Sequence, residues 1–154
     1  MNVVVLSVGR PDRAVYGPLF EDYARRIRRF GIALDARYVR EVKSGGRYTD
    51  AHVMEREASA LLDALPRRGT VIALTPEGES LDSPALARRL REWSRPAAAF
   101  VVGGPLGLAP SLRERADHRL SLSAMTLPHE LARVVLIEQI FRAATILRRV
   151  PYHK

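Results

Sequence analysis

Short apolar runs recur along this chain, and each is separated from the next by a stretch with helical periodicity. The runs are VVVLSV at 3–8, a strand at 34–42, TVIALTPEG at 70–78 as strand and turn, AAAFVVGG at 97–104, and the start of HRLSLSAMTLPHE at 118–130. Val15, Leu19, Tyr23 and Ile27 recur at the spacing of one helix face. A second helix is expected from about Asp50 to Leu65, and a third through Leu86, Leu90 and Trp93 behind a Ser83-Pro84 cap and first-turn pair. A short helix and then a long one over roughly 128–149 complete the pattern. Strands alternating with helices predict an α/β fold: a mostly parallel sheet with helices on both faces. With 154 residues, 47% of them hydrophobic, the chain suffices for one domain spanning 1–154 and is short for two.

In such sheets ligands gather beyond the carboxyl ends of the strands. Two turns fall at that edge, Thr75 to Gly78 and Gly103 to Gly107. The stretch FVVGGPLGLAP, 100–110, offers bare backbone at Gly103, Gly104 and Gly107 for close approach by an uncharged or zwitterionic ligand. A tight strand-to-helix turn would use the same Gly-Gly-Pro. The loop lacks the Lys-Ser/Thr ending of a phosphate-cradling loop, and the region of Gly9 lacks Gly-x-Gly-x-x-Gly, which argues against ATP hydrolysis and dinucleotide binding.

Twenty-five Lys and Arg against 17 Asp and Glu give a net charge of +8, which favours a polyanionic partner such as nucleic acid. The basic residues are spread over several helices, which suits a membrane surface less well. Arg25, Arg26, Arg28 and Arg29 crowd one helix end, where matching of the helix dipole and contact with RNA are both open readings. Lys43 and Arg47 flank a Gly-Gly loop that either closes over a substrate or forms a surface turn. With no cysteine, disulfides, thiolate metal sites and thiol nucleophiles are excluded together. His52, His118, His129 and His153 show no metal-ligand spacing, so no metal is expected. No apolar leader or membrane-length run stands in the chain, and the expected compartment is the cytoplasm.

Near the end, Glu138 and Arg142 lie one helical turn apart, and Tyr152-His153-Lys154 follow a Pro151 stop. These side chains either converge on a nucleotide or form an i,i+4 ion pair beside a frayed terminus. Leu131, Val134, Val135, Ile137 and Phe141 make an apolar face broad enough for burial on more than one side, within a monomer or between subunits.

Taken together, VGR at 8–10, VIALTPEG at 71–78, LDSPALA at 81–87, FVVGGPLGL at 100–108, LSLSAMTLPHELARVVLIEQIFRA at 120–143 and PYHK at 151–154 are recognisable. The chain resembles, nearly end to end, the small bacterial 23S rRNA pseudouridine N3-methyltransferases of the SPOUT class. The resemblance implies a C-terminal trefoil knot, S-adenosyl-L-methionine as methyl donor, a homodimer, and rRNA within the ribosome as partner. It implies a donor site in three loops: Leu74, Thr75, Pro76 and Gly78; Gly103, Gly104, Pro105, Gly107 and Leu108; and Leu122, Ser123, Ala124, Met125 and Leu127. His129 joins them at the start of the long helix, where a first-turn hydrogen bond would explain it equally. Arg142 is expected to stabilise charge on the base, His153 or Glu138 to take its proton, and Tyr152 to orient or stack on it. Arg25 to Arg29, Lys43 and Arg47 would hold phosphates. Two other outcomes stay open: a related knotted methyltransferase for tRNA or another rRNA base, and a basic RNA-binding module without catalysis.

Overall fold

The computed structural model describes all 154 residues. Its elements, in chain order, are β1 (Asn2–Val8), α1 (Tyr16–Arg29), β2 (Ala33–Val39), α2 (Asp50–Asp63), β3 (Thr70–Ser80), α3 (Ser83–Trp93), β4 (Ala98–Val102), α4 (Pro110–Arg115), β5 (His118–Ser121) and α5 (His129–Leu147). The five strands form one sheet in the order β2-β1-β4-β3-β5, and every pairing is parallel. The α/β expectation therefore holds.

Alternation along the strands sorts the core into two layers. Val3 and Val5 of β1 join Phe100 of β4 and the apolar sides of α1, α3 and α5 on one face. Val4, Leu6 and Val8 join Val101, α2 and α4 on the other. Central β4 is buried along its whole length, as a strand covered from both sides must be.

Local chemistry sets the boundaries. The Asp12 carboxylate accepts the backbone N–H groups of Ala14, Val15 and Tyr16 and organises the turn into α1. Asp82 caps α3 by accepting from Ala85 N at 2.6 Å. This corrects the expected Ser83 cap: Ser83 is the first helical residue, and its hydroxyl bonds Gln139 of α5 at 2.7 Å. β2 stops at Val39, short of 42, and α5 ends at Leu147, with Arg149 in the left-handed region at φ 55°.

A second correction bears on function. Thr75–Gly78 is not a turn that ends the strand, because β3 continues to Ser80. Both Leu74 and Glu79 pair with Leu120 of β5, so the intervening residues bulge out of the ladder. The bulge pushes Thr75, Pro76 and Glu77 beyond the sheet edge while keeping them anchored at both ends.

Candidate active site

The carboxyl ends of β3, β4 and β5 open onto a cavity of about 870 Å³. A volume of that order suits a nucleotide-sized molecule. Its walls come from the β3 bulge, the loop after β4, and the segment from Leu122 to His129. Every residue expected to hold the donor lines it except Gly78 and Ala124. Gly78 serves packing, since a Cβ there would lie 2.5 Å from the Leu120 carbonyl carbon. Met54, Glu77 and Arg113 also line the cavity, although no sequence motif singles them out.

The glycines of the β4 loop have separate reasons. A Cβ on Gly103 would lie 2.6 Å from the carbonyl carbon of Gly107, so the loop closes only without one. Gly107 has φ +82° and donates its N–H to Gly104 O at 3.0 Å, which completes the turn. On the opposite wall, Ser123 Oγ accepts from Met125 N at 2.9 Å, and Ser121 Oγ donates to Ser123 O at 3.0 Å. Bare peptide groups on one side, with Leu74, Leu108, Leu122 and Leu127 around them, fit an adenosine moiety. The Thr75 hydroxyl bonds the Glu77 carboxylate at the rim and holds its pKa below the ordinary value.

The first turn of α5 forms a further wall through Pro128, His129 and Ala132. Burial, and secondarily the Arg133 charge, pulls the His129 pKa down and keeps its imidazole neutral. Glu130 Oε1 accepts from Asp12 N at 2.9 Å, and Arg133 Nη1 donates to Gly9 O at 2.7 Å. The start of α5 is thereby tied to the chain leaving β1. Arg133 is 1% exposed and the largest fully buried side chain. A single cation inside the apolar run LARVVLI is the sequence signal of this burial, although Arg133 is not among the site residues expected from the sequence.

Three of the four expected catalytic residues meet farther along α5, around Glu138 at its middle. Arg142 Nε and Nη2 both donate to Glu138 Oε1, at 3.2 and 2.7 Å. The Tyr152 hydroxyl donates to the same oxygen at 3.1 Å, and the Arg142 guanidinium lies 4.7 Å from the Tyr152 ring centre. Burial and the bond to Glu138 push the Tyr152 phenol up to about 12. The bond to Glu138 likewise raises the Arg142 pKa. His153 is exposed and outside this hydrogen-bonded group. None of the four lines the cavity, so within one chain the tail cluster and the cavity stand apart.

A parallel α/β sheet with a looped cavity at its carboxyl edge defines a class that many enzymes share. The chain belongs to the SPOUT methyltransferase family: the family's sequence model, described as predicted SPOUT methyltransferase, matches residues 1–153. Membership in that family implies S-adenosylmethionine as methyl donor. Among its relatives, a ribosomal RNA large subunit methyltransferase H of Gemmatimonas aurantiaca is 45% identical over 100% of both chains. Proteins of the same name from Anaeromyxobacter sp. strain Fw109-5 and Chromobacterium violaceum are 42% and 38% identical, over 100% of this chain and 100% and 99% of theirs. A solved structure of a probable methylase family protein from Haemophilus influenzae superposes with a TM-score of 0.54 at 12% identity, covering 99% of this chain and 70% of that one. That likeness concerns the fold alone.

Proposed function

We propose that this chain transfers a methyl group from S-adenosylmethionine to N3 of a pseudouridine in large-subunit (23S) rRNA, as a homodimer acting on assembled ribosomes in the cytoplasm. One observation carries the reading: three loops converge on a nucleotide-sized cavity in a chain that aligns end to end with ribosomal RNA large subunit methyltransferases. The net charge of +8 agrees with an RNA partner.

When bound, the donor supplies an electrophilic sulfonium methyl group. The residues of the chain do the rest. The Gly103 to Leu108 peptide groups and the surrounding leucines hold the adenosine and keep water from it. N3 is an imide nitrogen and must lose its proton as it attacks, which leaves negative charge on the ring carbonyls. Arg142 stabilises that charge, Tyr152 orients or stacks on the base, and His153 or Glu138 accepts the proton. No covalent adduct is required, in keeping with a chain that has no cysteine.

The separation of tail cluster and cavity favours a composite site. Leu131, Val134 and Val135 are only half-buried on α5. A second copy laid on this face would cover them and carry its own Tyr152 and His153 to the first copy's cavity. The trefoil knot of the family belongs in this same C-terminal half, around the loops that hold the donor.

Incubation with methyl-labelled S-adenosylmethionine and ribosomes, free 23S rRNA or tRNA tests the proposal. Label is expected in large-subunit rRNA of the ribosome. Label in tRNA alone, or in no RNA, would overturn it.

A further inference from the structure

Exposed arginines gather at the edge of the sheet opposite the cavity. In an all-parallel sheet the connecting helices run back against the strands, so α1, α3 and α5 all end at the amino edge. Contacts there are continuous. Arg91 of α3 and Arg148 after α5 border a hollow of about 280 Å³ together with Met1, Gly31, Ile32 and Leu147. Arg148 Nη2 donates to Phe30 O at 2.9 Å, just past Arg29. Asn2 Nδ2 donates to Pro96 O at 2.9 Å and Thr70 N to Ala97 O at 2.8 Å, which brings Arg95 and Arg68 to the same edge.

Arg29, Arg68, Arg91, Arg95, Arg148 and Arg149 are all exposed, and none of them is in an ion pair. Glu92, next to Arg91, pairs with Arg89 instead, and Asp22 of α1 pairs with Arg25 and Arg26. Asp63 at the end of α2 offsets one charge at most. Matching of helix dipoles does not account for the cluster. Each helix end carries about half a negative charge, so three ends offset about a quarter of six guanidinium charges. Arg68, Arg95 and Arg149 also stand outside the helices. Like charges held this close repel one another, a cost that an anionic partner removes.

We infer that this amino-edge face docks the phosphate backbone of large-subunit rRNA, at a segment other than the one that offers its base to the chain's cavity. The inference rests on the rRNA-methylation reading given above. The seven residues of β1 set the two edges about 20 Å apart, so one nucleotide does not serve both. Guanidinium forks suit phosphate oxygens, and the hollow between Arg91 and Arg148 admits a phosphate group from outside. Met1 and Val150 are the exposed large apolar side chains here, too few for the core of a protein interface or for a face inserted in a membrane.

Arg68→Gln/Arg91→Gln removes two charges from the face, whereas Arg37→Gln/Arg89→Gln removes two that Asp35 and Glu92 already offset. For both variants and wild type, binding to ribosomes and to protein-free 23S rRNA is to be measured by filter retention over a range of salt, alongside methylation kinetics and affinity for S-adenosylhomocysteine. The face variant should bind both RNAs about 10- to 100-fold more weakly, with a salt slope smaller by about 2. Its KM for ribosomes should rise by a similar factor, while kcat and the affinity for S-adenosylhomocysteine stay within about 2-fold of wild type. The control variant should shift binding by less than about 3-fold. Equal losses in the two variants would overturn the inference, since net charge alone would then explain binding. A loss confined to ribosomes would also overturn it, by marking a ribosomal protein as the partner. Wild type that binds rRNA through this face yet labels no RNA would uphold the docking surface and refute the methylation reading.

Discussion

The hydroxyl of Tyr152 donates to Glu138 Oε1 at 3.1 Å and ties the last residues of the chain back to the middle of α5. The Tyr152 ring meets Phe141 edge-on at 4.8 Å, and Phe141 in turn packs against Tyr23 at 5.7 Å. The tail is therefore anchored by an aromatic contact and a hydrogen bond in a place where a helix could simply fray.

Tyr152→Phe keeps the ring and removes the bond, so it should lower stability by about 1 kcal/mol, with Tyr152→Ala costing more. The pH dependence has a definite sign. A phenol raised from 10.0 to about 12 on folding contributes stability that is complete below about 10 and is lost as pH climbs toward 12. Thermal unfolding of wild type and Tyr152→Phe between these limits should show the gap narrowing as pH rises.

Arg142→Ala should reduce turnover about 100-fold or more while leaving the affinity for S-adenosylhomocysteine unchanged, because Arg142 stands off the cavity. Single-turnover methylation and calorimetry on the same preparation check this. Equal losses in both would remove Arg142 from the transition state.

Gly103→Ala and Gly107→Ala should differ in kind. At Gly103 the new methyl group would lie 2.6 Å from the Gly107 carbonyl carbon, so the loop must open and ligand affinity should fall about 10-fold or more. At Gly107 there is open space, and φ +82° alone imposes a cost of roughly 1 kcal/mol on stability. Unfolding midpoints and S-adenosylhomocysteine affinities for the pair distinguish clash from strain.

His129 should titrate below 6.5, since burial and the Arg133 charge favour its neutral form. With the folded pKa depressed, its contribution to stability is present above about 6.5 and is lost as pH falls through the folded value. Imidazole chemical shifts locate the midpoint, and His129→Gln should flatten the acid limb of the stability curve.

The parallel sheet was legible because β-branched runs and helical spacing alternate without ambiguity from Val3 to Phe141. The cavity loops were legible where backbone demands a residue type, as at Gly103 and Gly107. Gly78 looked like another such loop residue, but its constraint is the Leu120 backbone across a strand pair, and pairing partners are not visible along one chain. Ser83 and Asp82 compete for the same cap, and only the contact of Ser83 with Gln139, 56 residues away, decides between them. For Arg133 the apolar residues around it signal burial, but its partner, Gly9 O, is 124 residues distant and not visible along the chain.

The identity of the product nucleoside tests methylation at N3 of pseudouridine. Ribosomes with and without their pseudouridines are to be methylated by the purified chain, and the rRNA digested and analysed by mass and chromatography. 3-Methylpseudouridine is expected in the large-subunit rRNA, formed only when pseudouridine is present. A methylated nucleoside other than this, or equal labelling of ribosomes without pseudouridine, would contradict it.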